Sequence, residues 1–333
     1  AQALRSGALV AMPTETVYGL AGHALDPVAL ARIFEVKQRP FFDPLIVHVS
    51  DADAARALWR ETPAAAARLM EAFWPGPLTL VLPKAEHVPD LATAGLPRVA
   101  VRVPAHPVAR ALLAAAGIPL AAPSANPFGG LSPTRAEHVS AAFADGIDCV
   151  LDGGPCAVGV ESTVVGWEGN APLLLRAGGI AAEDLKAVLG RPLRRDAPTA
   201  LDAGFASAAQ APGALPWHYA PRTPLRLRAA DAAPAAEADC GLLWFGGRAT
   251  PAGYARTENL SPSGDAREAA ANLFAALHRL DGAGLAGIDA VLLPETGLGL
   301  AVNDRLRKAA AKNNGQRAMP NRRCSTGNTT IQQ

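Results

Sequence analysis

The feature that most constrains this chain is the apolar run at residues 8–12, cut off by Pro13 and followed by Thr14-Glu15-Thr16-Val17-Tyr18-Gly19-Leu20. Such a run reads as a short buried strand, and proline, lacking the N–H that a ladder needs, ends it. Two hydroxyls and a carboxylate then stand where the strand opens into a loop. In open α/β sheets that place, outside the carboxyl end of a strand, is where ligands bind. A helix with clear start signals follows: Asp26 as N-cap, Pro27 at the first helical position, then Val28, Leu30, Ile33 and Phe34 as an apolar face. It delivers Lys37 and Arg39 to a loop stiffened by Pro40 and Pro44, ahead of Ile46-Val47-His48. Two cations that read as having no nearby acidic partner, on a stiff loop, suit an anionic ligand.

The same reading carried along the chain predicts helices at 51–59 and 63–73, a strand at 78–82, and a strand at 99–103 that alternates around Arg102. Next come a helix at 107–116 and a strand at 118–121 opening onto Pro123-Ser124-Ala125-Asn126. A helix at 135–144, extended segments at 147–151, 162–166 and 173–175, and a helix at 181–189 complete this part. Strand and helix alternate irregularly, with several strand-to-strand connections. The expectation is α/β with a mixed twisted sheet over residues 1–193, not a doubly wound parallel one. Residues 194–223 turn to Ala, Pro and Gly and read as a linker over the active site. Residues 224–312 read as a smaller C-terminal α/β domain, with strands at 225–227, 241–245 and 288–293 and helices at 265–280 and 301–311. The polar, aperiodic segment 313–333 reads as a disordered tail.

Composition narrows the function classes. A length of 333 residues fits two domains. A formal charge of +1 argues against a general nucleic-acid binder, whose affinity needs many phosphate-neutralising cations. No apolar run approaches the roughly 20 residues needed to cross a bilayer. Residues 1–6 lack the charged-then-apolar order of a secretory signal, and the chain is expected to be cytoplasmic. Cys149, Cys156, Cys240 and Cys324 have no zinc-ligand spacing and read as reduced, unpaired thiols. Neither a G-x-x-x-x-G-K-[ST] loop nor a G-x-S-x-G elbow occurs. Gly297-Leu298-Gly299-Leu300-Ala301 lacks the third glycine of a dinucleotide turn and reads as tight strand–helix packing.

Together with Lys37-Gln38-Arg39-Pro40 and Asp43-Pro44-Leu45, the opening cassette resembles the YrdC-like family of threonylcarbamoyl-AMP synthases. The family's later motifs stand here in order: Val99-Ala100-Val101-Arg102-Val103-Pro104, Ala122-Pro123-Ser124-Ala125-Asn126, Glu161-Ser162-Thr163-Val164-Val165 and Leu175-Arg176-Ala177-Gly178. His218-Tyr219-Ala220-Pro221 is similar to the linker signature of the family's long form, which has an extra C-terminal domain. The resemblance implies synthesis of L-threonylcarbamoyladenylate from L-threonine, bicarbonate and ATP with release of pyrophosphate, for threonylcarbamoyladenosine modification of tRNA. It implies Thr16, His48, Arg102, Ala122 and Ser162 for threonine, and Lys37, Arg39, Asp43, Ser124, Asn126, Ser132, Arg176 and Tyr219 for ATP, with Lys37 and Arg39 as the catalytic cations. Magnesium would come with ATP, with no metal site made by protein side chains alone, and the product would pass to a downstream tRNA-modifying threonylcarbamoyl transferase complex. Asp43 stands where the family often has Asn, and a carboxylate there would repel phosphates unless magnesium intervenes. Arg98 replaces a smaller hydroxyl residue and is left out of the site.

Taken one at a time, these residues have plainer readings. His48 reads as an ordinary strand histidine and Arg102 as a solvent-facing strand residue. Lys37 and Arg39 read as complements of a helix dipole, Ser124 and Asn126 as turn formers, and residues 14–16 as a helix cap. Two other functions stay open: an RNA-binding or ribosome-assembly module, and a carbamoyl-phosphate-dependent carbamoyl transferase.

Overall fold

A computed structural model describes residues 1–143, 146–195, 218–229 and 237–317. The strands of its first part are β1 (Val10–Met12), β2 (Gly19–His23), β3 (Ile46–His48), β4 (Leu78–Pro83), β5 (Arg98–Arg102), β6 (Leu120–Ala121), β7 (Cys149–Val150), β8 (Thr163–Glu168), β9 (Ala171–Arg176) and β10 (Arg194–Arg195). Helices α1 (Gln2–Arg5), α2 (Pro27–Lys37), α3 (Ala52–Ala57), α4 (Ala64–Phe73), α5 (Asp90–Thr93), α6 (Pro107–Ala116), α7 (Ala136–Ala142) and α8 (Ala182–Leu189) lie between them. The strands form one sheet in the order β10-β9-β8-β4-β5-β3-β6-β2-β1-β7. Pairing is mixed: β3 runs parallel to β5, and β4 runs antiparallel to β5 but parallel to β8. The expected mixed sheet is what forms. Its main core gathers Leu20, Leu30, Ile33 and Phe34 with Val47, Leu80, Val101 and Val165, all buried.

The second part has β11 (Leu225–Arg228), β12 (Cys240–Trp244), β13 (Arg256–Asn259), α9 (Ala266–Asp281), β14 (Gly287–Val291) and α10 (Gly299–Arg317). Its sheet, β11-β14-β12-β13, is parallel throughout. α9 starts where Asp265 accepts from the backbone N–H groups of Arg267 and Glu268, the N-cap bond that satisfies orphan donors. Gly299, at the start of α10, has no room for a side chain: a Cβ there would lie 2.1 Å from the Pro294 carbonyl oxygen. Tight packing thus explains Gly299, whereas Gly297 has open space around it and a left-handed φ of 53° that favours glycine.

One hydrophobic cluster crosses from the first part to the second. Val17, Leu131, Val160 and Ala181 pack in it with Tyr219, Leu273, Phe274 and Val302. Backbone contact there is close enough that a Cβ on Gly159 would sit 2.4 Å from the Ala271 Cα of α9. The rings of His138 and His278 stack across the same junction with centroids 3.9 Å apart. Of the segment read as a linker, residues 196–217 lie outside the described residues, as do 318–333 of the segment read as a tail. Cys149, Cys156 and Cys240 are free thiols, and Cys324 lies outside the described residues. No helix among the described residues is long and apolar enough to cross a membrane.

Candidate active site

Strand ends converge on one small cavity. The register of β3 with β5 sets His48 directly beside Arg102, and β6 runs alongside β3 and opens into Ala122-Pro123-Ser124. Across the sheet, β8 and β9 pair so that Arg176 lies opposite Val164 and bonds back to Ser162. The loop after β1 folds on itself because the Thr14 hydroxyl donates to the Val17 carbonyl at 2.6 Å and accepts from the Thr16 and Val17 N–H groups. Residues 14–16 therefore form a hydroxyl-centred turn and cap no helix. Thr16, His48, Arg102, Ala122 and Ser162 line the cavity, and so do Arg39, Ser124, Arg176 and Tyr219. The remaining four residues of the expected site stand just behind its wall.

Arg102 is 3% exposed, so its reading as a solvent-facing strand residue is wrong. Alternation with valines marks the face it shares, but that face is covered by the loop after β1. The guanidinium donates to Thr16 Oγ1 at 2.8 Å and the Gly76 carbonyl at 3.1 Å, and pairs with Glu15 Oε1 at 2.6 Å. Glu15 also accepts from the Ala105 N–H at 3.1 Å. Burial works to raise the Glu15 pKa, and the charge and hydrogen bond of Arg102 more than offset it, leaving the carboxyl below its usual range.

Lys37 and Arg39 are also buried, at 1% and 6% exposure, and do not act as surface complements of the helix dipole. The left-handed conformation of Gln38 at the end of α2 (φ 51°) turns the chain inward. Lys37 Nζ donates to the carbonyls of Ser124 and Asn126, so these two residues are more than turn formers. Burial, then the charge of Arg39, pulls the Lys37 pKa well below normal. Arg39 pairs with Asp43 Oδ2 at 2.9 Å and donates to the backbone carbonyls of Asp43 and Pro44. The cations thus do have an acidic neighbour, which sequence reading overlooked because it lies past a proline. Asp43 thus anchors Arg39.

Arg176 grips Ser162 through its carbonyl at 2.9 Å and its hydroxyl at 3.1 Å. Asn126 donates to the Pro127 and Gly130 carbonyls and holds the loop that carries Ser124. Ser132 donates to Glu161 Oε1 at 2.6 Å, and Arg98 is remote, bonded to the Trp167 carbonyl. Three functional neighbours went unread in the sequence. Thr79, inside a buried strand, bonds the Ser162 hydroxyl at 2.7 Å. Glu161 sits within a quoted motif, yet only the fold gives it a role. Arg305 comes from the second part of the chain.

His48 is fully enclosed, its Nδ1 3.3 Å from the Ile46 carbonyl oxygen. Burial, reinforced by Arg102, pushes its pKa down to about 3, so the ring is neutral at working pH. It offers a hydrogen bond and is too weak a base to accept a proton there. The unfolded ring takes its proton near pH 6.5, so this contribution to stability is complete above that pH. It declines as pH falls from about 6.5 and is gone below about 3. At pH 5 the loss from His48 is about 2 kcal/mol. Denaturant titrations at pH 7.5 and 5.0 should show a pH-dependent loss smaller by that amount in His48→Gln; equal losses in both proteins would refute this assignment.

The acidic groups here are engaged by cations: Glu15 by Arg102, Asp43 by Arg39, and Glu161 by Arg305. Among the described residues, the group spaced to hold a metal ion is Glu237, Asp239 and Cys240, in the second part, where Arg226 pairs with Glu237.

Over the cavity lies the segment His218-Tyr219-Ala220, with His218 4% and Tyr219 1% exposed. The space at the cavity is small, about 50 Å³, against roughly 300–1,000 Å³ for ordinary ligand pockets.

Residues 2–178 match a family model of the Sua5, YciO and YrdC proteins described as "Telomere recombination". Residues 180–311 match one described as "Threonylcarbamoyl-AMP synthase, C-terminal domain". The chain is 42% identical over 320 residues to the threonylcarbamoyl-AMP synthase of Pyrococcus abyssi, covering 92% of each. It is 40% identical over 322 residues to that of Bacillus subtilis, covering 92% of this chain and 90% of the relative. The crystal structure of P. abyssi Sua5 complexed with L-threonine superimposes with a TM-score of 0.83 at 41% identity, covering 92% of both chains.

Proposed function

This chain belongs to the family of threonylcarbamoyl-AMP synthases, and on that premise we propose that it condenses L-threonine, bicarbonate and ATP into L-threonylcarbamoyladenylate, releasing pyrophosphate and water. The observation that carries this reading is the convergence of Arg39, Arg102 and Arg176 on one small cavity that His218 and Tyr219 also line. A carbamate and a mixed anhydride with phosphate both hydrolyse readily, so a site that makes them has to exclude water while it neutralises a triphosphate.

Arg102 pairs with the threonine carboxylate, and the Thr16 and Ser162 hydroxyls read the amino acid's polar groups. A site that hydrogen-bonds a substrate hydroxyl rejects analogues lacking it. The threonine nitrogen attacks the carbon of bicarbonate, water leaves, and one carbamate oxygen attacks the α-phosphorus while the bond to the β-phosphate oxygen breaks. Lys37, Arg39 and Arg176 meet the charge that builds on the departing pyrophosphate. Magnesium, carried in with the triphosphate as part of the substrate, would offset part of the phosphate charge. Ser124, Asn126 and Ser132 shape the nucleotide side, and neutral His48 and Ala122 close the amino-acid side. Holding the reactants in contact supplies the proximity contribution.

Because ATP is too large for the space at the cavity, the His218–Tyr219 strap opens for entry and closes for chemistry. The product passes to the cytoplasmic machinery that threonylcarbamoylates tRNA. Buried cations are poorly placed to hold an RNA duplex, which leaves the RNA-binding reading without support.

Pyrophosphate release with ATP and magnesium tests the reading. Release should require both threonine and bicarbonate and fall at least tenfold when valine replaces threonine, with serine intermediate. Release that ignores the amino acid would sink the proposal.

A further inference from the structure

The geometry points to Arg305, on the last helix of the second domain, as a positioning residue that couples that domain to ATP binding by fixing Glu161 and the Tyr219 ring in their closed places. This rests on the synthase reading of the cavity and assigns the second domain a part in it. Arg305 is 0% exposed and does not line the cavity, yet two of its partners, Glu161 and Tyr219, do. Nε donates to Glu161 Oε2 at 2.8 Å, and Nη1 donates to the Ala177 carbonyl at 2.8 Å and to Asp304 Oδ2 at 2.9 Å. The guanidinium carbon stands 5.2 Å from the centre of the Tyr219 ring, within cation–π range.

Both ends of Glu161 are thereby committed. Oε2 receives Arg305 from α10, and Oε1 receives the hydroxyl of Ser132, the loop residue assigned to the nucleotide side. The Ser132 carbonyl in turn lies 3.2 Å from Nε2 of His278 on α9. Two helices of the second domain thus reach the nucleotide side, α10 through the Glu161 carboxylate and α9 through the Ser132 carbonyl. Because Glu161 immediately precedes Ser162, the hydroxyl that Arg176 grips, its place also bears on where Arg176 sits. Arg305 touches the roof and the wall at once, so the roof is held down only when the second domain is docked. Burying a cation against an aromatic face and a carboxylate, with no water between, makes the contact sensitive to loss of either charge.

Arg305→Met keeps most of the side-chain bulk and removes the charge. With the full chain, the KM for ATP is expected to rise on the order of 10²-fold. The threonine Kd, measured by calorimetry without nucleotide, should stay within roughly threefold, since the Arg102 wall is untouched. Arg305→Lys restores a cation to Glu161 and the ring without the fork that spans to Ala177, and should recover at least about tenfold of the lost ATP affinity. If Arg305→Met does not fold, Arg305→Gln against Arg305→Lys gives the same comparison. An unchanged ATP KM, parallel losses for ATP and threonine, or no recovery with lysine would each overturn the inference. A wild-type chain without threonine-dependent pyrophosphate release would instead overturn the synthase reading itself, so the two failures are distinct.

Discussion

Lys37→Ala is expected to lower threonine-dependent pyrophosphate release by about 10³-fold, the upper range for deleting one preorganised donor at a developing charge. The side chain is 1% exposed and reaches the Ser124 and Asn126 carbonyls, so its removal has two consequences. The phosphates lose the ammonium that would meet them, and two carbonyls that form the nucleotide loop lose their shared donor. Burial and the neighbouring Arg39 hold the Lys37 pKa well below normal. A bound polyphosphate would stabilise the ammonium form, so ATP binding should take up protons, most visibly at alkaline pH. Calorimetry in buffers of different ionisation enthalpy reads that uptake, which should shrink in Lys37→Ala. A loss of activity below tenfold, with proton uptake unchanged, would show that Lys37 only shapes the loop.

How legible the molecule is depends on how local the cause is. The start of α2 could be read to the residue because Asp26 and Pro27 act on the turn they begin, whereas its end at Lys37 comes before the expected stop at Pro40. The mixed sheet followed from irregular strand spacing in the same way. β13 escaped notice because Arg-Thr-Glu-Asn has no apolar face, and its pairing with β12 decides its conformation. Arg102 was visible as a strand residue but not as a buried cation, since Thr16, its hydrogen-bond partner, lies 86 positions upstream. The cation cluster on the stiff loop was legible, yet the ion pair of Arg39 with Asp43 depends on a chain turn at Gln38 that sequence patterning does not announce. Arg305 was out of reach altogether. On its own helix it is one more basic residue, and its meaning comes from docking against Glu161, 144 positions away.

Arg102→Met should weaken threonine binding by about 10²–10³-fold, the usual consequence of truncating one partner of a buried charge pair. It should also destabilise the fold by about 3–5 kcal/mol, because Glu15 would be left as a buried carboxylate without its counter-ion. The two effects have different owners, and a second substitution separates them. In Glu15→Gln/Arg102→Met the orphaned charge is gone, so most of the stability should return in denaturant titration, while threonine affinity stays low because the guanidinium is still missing. Glu15→Gln alone keeps that cation and its bond to Thr16, so threonine should bind within about tenfold of wild type. If the double variant regained threonine affinity together with stability, Arg102 would be a structural tie between β5 and the loop after β1. Persistent loss of affinity in a stable double variant would make Arg102 the group that receives the substrate carboxylate, with Glu15 the residue that keeps it aimed while the site is empty.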